Sequence, residues 1–80
     1  MSKLKKILKD SFAMNDSEFI DQQSLMQMKD FDSMNHMLFV TKLEEEFGIE
    51  LTGDEIVSLE KIEDIKKLLI TKNIDPLAWI

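Results

Sequence analysis

Ser33 stands in the segment Phe31-Asp32-Ser33-Met34, and a histidine, His36, follows three positions later. Hydroxyl, imidazole and carboxylate are the residue types of a nucleophile, a base and an orienting acid. A hydrolase also needs an oxyanion scaffold and an enclosed cleft, and the pattern offers neither. The same serine has a second use at the head of a helix. There, unpaired backbone N–H groups and the helix dipole favour negative charge, so Ser33 is positioned to bear a phosphoester. Asp32 and Ser33 are both good N-caps, and an ordinary capping serine is the other reading of these residues taken alone. His36 has no ligand partner in the chain and reads as a surface or partner-contact residue, so no metal site is expected. Asp30 with Asp32, and Asp54 with Glu55, lack the alternating oxygen ligands and terminal Glu of a calcium loop.

Four helical stretches must position this serine. Leu4, Ile7, Leu8 and Phe12 recur at helical spacing, predicting a first helix over about residues 3–13 with lysines on its wet side. From Met14 to Phe31 the pattern weakens into a long connection, with Ile20, Leu25, Met28 and Phe31 as apolar anchors. Met34, Met37, Val40, Leu43 and Phe47 then form the strongest stripe, a helix over about residues 33–47 that stops at Gly48. Leu38 and Phe39 lie off that stripe, so one of them is free to face a groove or a partner. Thr52 and Glu55 have capping-box spacing before a short third helix near residues 53–58. Ile62, Ile65, Leu68 and Leu69 predict a fourth helix ending near Thr71, after which Leu77 and Trp79 fold back on the bundle. The fold expected is all-α, a small four-helix bundle with a long first loop.

The chain has 80 residues, no Cys, no Arg and a formal charge of −6, enough for a single domain spanning residues 1–80 and too little for a closed active site of its own. Without Cys, no thiol chemistry originates in the polypeptide and disulfides are excluded. No apolar run approaches the roughly 20 residues of a membrane span, and the Lys-rich start lacks a signal-type hydrophobic region, so a cytoplasmic address is expected. Residues 1–10 carry a net +3, whereas residues 43–65 hold nine acids against Lys61. That acidic middle predicts docking to a basic partner and argues against nucleic acid.

Asp32-Ser33-Met34, the apolar positions Met37, Val40 and Leu43, the run Leu43-Glu44-Glu45-Glu46-Phe47-Gly48-Ile49-Glu50-Leu51, the acidic Asp54-Glu55 and Lys61-Ile62-Glu63-Asp64-Ile65 together resemble the acyl carrier protein family. The resemblance covers nearly the whole chain. Its specific part is a DSL-like motif at the correct distance from an LEEEFGI-like helix end.

The resemblance implies a four-helix bundle whose motif serine, here Ser33, receives 4′-phosphopantetheine from coenzyme A through a separate phosphopantetheinyl transferase. It implies that acyl groups travel as thioesters on that group's thiol, in keeping with a chain that lacks Cys, and that the protein is a carrier cosubstrate and not an enzyme.

Asp32 matches the family's acid before the serine, which the resemblance ties to recognition or metal-assisted transfer at the transferase, and Met34 matches the usual Leu. The candidates for acyl pocket or core are Met34, Met37, Val40, Leu43, Phe47, Ile56, Leu59 and Ile62. The candidates for partner docking are Asn35, His36, Leu38, Lys42, Glu44, Glu45, Glu50, Asp54 and Glu55, facing acyl-transferring, condensing or ligase enzymes with basic patches, with the carrier monomeric when alone. Asn35, His36, Leu38 and Lys42 stand where the fatty-acid type often has acids. Asp30 and Phe31 replace the customary Gly and small residue, and Lys61 replaces a Thr. These departures point to a specialised acyl, polyketide or aminoacyl pathway as readily as to fatty-acid synthesis. The competing class is an acidic helical adaptor that keeps the fold and carries no acyl group.

Overall fold

The computed structural model describes residues 3–79. Four α-helices, α1 (Lys3–Phe12), α2 (Ser33–Phe47), α3 (Gly53–Val57) and α4 (Ile62–Thr71), are joined by loops that contain 3₁₀ turns at Asp16–Glu18 and Leu25–Gln27, and a further turn, Pro76–Ala78, follows α4. The result is the expected all-α bundle with a long first loop.

α1 buries Leu4, Ile7, Leu8 and Phe12, and it packs along α2. The Lys3 ammonium lies 3.6 Å from the Glu46 carboxylate, so the start of α1 meets the end of α2. The face that α2 buries differs from the predicted stripe. Phe39, Val40 and Leu43 are buried, while Met34 and Met37, expected in the pocket or core, are 81% and 51% exposed. α2 has apolar residues on two sides, and a core of this size takes only one of them. Leu38, 43% exposed, and Phe39, fully buried, divide as expected between surface and core.

Three helices end on a residue with positive φ: Ala13 (52°) after α1, Gly48 (63°) after α2 and Asn73 (64°) after α4. The left-handed conformation turns the next N–H groups back onto free carbonyls. Ala13 N–H donates to the Lys9 carbonyl at 3.0 Å, Ile49 N–H to Glu44 at 3.1 Å and Ile74 N–H to Leu69 at 3.0 Å. α3 has the predicted capping box: Thr52 Oγ1 accepts from the Glu55 N–H, and Glu55 Oε1 accepts from the Thr52 N–H.

The long loop is fastened to the start of α4 by its backbone. Ile62 and Glu63 N–H groups donate to the carbonyls of Gln23 and Asp21, both at 3.1 Å, and Leu25 N–H donates to the Glu60 carbonyl at 2.8 Å. Leu25 and Met28 anchor the loop in the core as expected, whereas Ile20 is exposed and Phe19 packs partly against the core instead. The ammoniums of Lys5 and Lys66 lie 5.9 and 5.3 Å from the Phe19 ring centroid, and Lys66 pairs with Asp21 at 2.6 Å. Asp16 pairs with Lys9 and Lys5, and these bonds, Lys9 foremost, hold its carboxyl below the usual range. In the tail, Trp79 is buried and Leu77 is exposed.

Candidate functional site

Asp32 closes the first turn of α2. Its backbone is extended (φ −154°, ψ 175°) and its Oδ1 accepts from the Asn35 N–H at 2.7 Å. Asp32 is therefore the N-cap, and Ser33 is the first helical residue. The capping role that sequence left open between them falls to the acid, and the exposed Ser33 hydroxyl makes no hydrogen bond among the described residues.

The turn ahead of Ser33 is held from both ends of the α1–α2 connection. Asp30 N–H donates to the Phe12 carbonyl at 3.3 Å, and the Asp30 carbonyl accepts from Asn35 Nδ2 at 2.8 Å. Phe31 stacks on Phe12 with ring centroids 5.6 Å apart, and its other neighbour is His36 at 5.7 Å. Phe12 continues the series to Phe39 at 5.4 Å. Partial burial lowers the His36 pKa from the ordinary 6.5, leaving the imidazole mostly uncharged at neutral pH.

These residues fit a phosphodiester. The first turn of α2 has no acidic side chain, and the Asp32 carboxylate is engaged by a backbone N–H. A phosphate on Ser33 would thus meet the positive end of a 15-residue helix, with the capping Asp32 carboxylate beside it and no further acid in that turn.

The other predicted residues separate by position. Val40, Leu43, Leu59 and Ile62 are core residues, and Phe47 and Ile56 pack partly against them. Among the docking candidates, Leu38, Glu45, Glu50 and Asp54 are exposed. Glu44 instead braces the loop after α2, its Oε2 accepting from the Leu51 N–H at 2.8 Å. Glu55 is used in the α3 cap and pairs with Lys72 at 3.0 Å; the Thr52 N–H and then Lys72 lower its pKa. Asn35 is half-buried and committed to Asp30. Lys42 and Glu45 line a groove of about 240 Å³ between α1 and α2, with Lys3, Lys6, Ile7, Asp10 and Glu46, away from Ser33. Sequence reading missed the Asn35 amide and the Phe31 stack. The available signal was an amide at the third helical position, where side chains lie back over the preceding turn.

Residues 2–69 match the family described as a phosphopantetheine attachment site. The chain therefore belongs to the phosphopantetheine-binding, acyl-carrier-protein family, whose role is that of a carrier and not an enzyme. It is 25% identical over 72 residues to an acyl carrier protein of Thermosynechococcus vestitus, covering 90% of this chain and 89% of that protein. It is 29% identical over 63 residues to an acyl carrier protein of Lactobacillus acidophilus, covering 79% of each.

No group of three or more His, Cys, Asp or Glu residues able to hold a metal occurs among the described residues, and none of their helices is long and apolar enough to cross a membrane.

Proposed function

We propose that this chain is a single cytoplasmic carrier domain, monomeric when alone, that is loaded with 4′-phosphopantetheine on Ser33 and presents acyl groups to separate enzymes. The observation that carries the reading is the exposed Ser33 hydroxyl, first in α2 and left out of the cap that Asp32 makes. In loading, Ser33 Oγ forms a bond to the coenzyme A phosphorus that carries the pantetheine, 3′,5′-ADP leaves and the serine proton is released. When bound, the group supplies the thiol on which acyl groups are held as thioesters. Asp32 fixes the turn and Ser33 provides the oxygen. Val40, Phe47, Ile56, Leu59 and Met37 are the side chains we assign to contact with an apolar cargo. Leu38, Glu45, Glu50 and Asp54 are those we assign to docking, beside the neutral His36. Fatty-acid synthesis and a specialised acyl, polyketide or aminoacyl pathway are both served by this arrangement.

The test is to incubate unmodified protein with coenzyme A and a broad-specificity phosphopantetheinyl transferase, then to record intact mass and map peptides. One addition on Ser33 is expected, and Ser33→Ala should abolish it with thermal unfolding nearly unchanged, because Asp32 supplies the cap. A folded protein that no transferase modifies would favour the adaptor reading.

A further inference from the structure

We propose that Asn35 is a positioning residue for the loading of Ser33, its side-chain amide clipping the Asp30 carbonyl so that the turn from Asp30 to Ser33 holds the hydroxyl in one orientation. The inference rests on Ser33 being the loaded residue.

The peptide groups of Asp30 are tied on opposite sides. The N–H reaches the last residue of α1, and the carbonyl reaches the first turn of α2 through Asn35 Nδ2. Asp30 is thus a rung between two helices, and Ser33 sits three residues beyond it. Phe31 adds a stack on Phe12 at the same level. The Asn35 backbone N–H is used as well, by Asp32 Oδ1. One residue therefore contacts both ends of the segment that leads into the serine. Asn35 Nδ2 is committed inside the chain, which favours action through the turn over direct contact with an enzyme.

Removing the amide leaves the Asp30 carbonyl to water and lets the turn loosen. A transferase that takes only the ordered turn then binds a smaller competent fraction, so KM for the carrier rises while kcat stays constant. The expected rise for Asn35→Ala is about two- to tenfold, the range of one exposed hydrogen bond. Amide exchange at Asn35 and His36 in the free carrier should quicken by at least that factor, because exchange follows the open population itself, and Asn35→Gln, which keeps an amide donor, should recover part of both effects. If Asn35→Ala fails to fold, Asn35→Leu keeps the size and loses the donor without adding charge, and the same rise is expected of it.

An unchanged KM would overturn the proposal. A raised KM with unchanged exchange would also overturn it, because the side chain would then be touching the transferase. Peptide mapping of the wild-type product separates this inference from its premise: loading elsewhere than Ser33 defeats the premise, whereas loading on Ser33 with an indifferent Asn35 defeats only the inference.

Discussion

Ser11 is the buried polar residue of α1, and its Oγ has no hydrogen-bond partner among the described residues. Burying an unpaired hydroxyl costs about 1–3 kcal/mol, and Ala is also the better helix former. Ser11→Ala is therefore expected to stabilise the protein by about 1 kcal/mol, seen as a rise of about 4–8 °C in Tm. A lower Tm would show that the hydroxyl has a role in the packed state. Ser33 is the opposite case, an exposed hydroxyl free of the cap. Sequence could nominate Ser33 from its place at a helix start, but either Asp32 or Ser33 satisfied the rule for a cap. Only the Asp32 Oδ1 contact with the Asn35 N–H divides the roles.

Among the elements, α2 was the most legible in its limits and the least legible in its orientation. Asp32 and Gly48 bracket it, and both devices are local, so residues 33–47 follow directly from the chain. Its buried side depends on neighbours: Phe12 on α1 selects Phe39, and Met34 and Met37 are left outside. The long loop was illegible for a different reason, since backbone groups fasten it and side-chain periodicity does not record them. The end of α1 carries a testable cost. Ala13 holds φ 52°, where an L side chain is strained, so Ala13→Gly is expected to stabilise by about 0.5–1 kcal/mol despite the entropy of Gly. Chemical denaturation with an unchanged m-value would check it.

Over the whole molecule, the charge of −6 is uneven, and several acids are occupied in holding the fold together. Glu44 and Glu55 brace the chain, while Glu45 and Asp54 remain exposed and carry no side-chain bond among the described residues. Charge reversal should sort them. Glu45→Lys or Asp54→Lys is expected to slow loading by a basic transferase about three- to tenfold at low salt, with the difference closing as salt is raised. Rates indifferent to salt would exclude electrostatic steering at these positions. The exposed apolar side chains of Met34, Met37 and Leu38 lie on the same helix as Glu45, so α2 presents oily and charged ground in succession from Ser33 onward.

The carbonyls of Asp21 and Gln23 that receive the first N–H groups of α4 belong to the main chain, and every amino acid has one. Mutation at Gln22, whose side chain is exposed, can therefore change the identity of the residue without removing an acceptor. The joint constrains the path of the chain and asks nothing of the Gln22 side chain, so that position can change while the helix it caps stays in place.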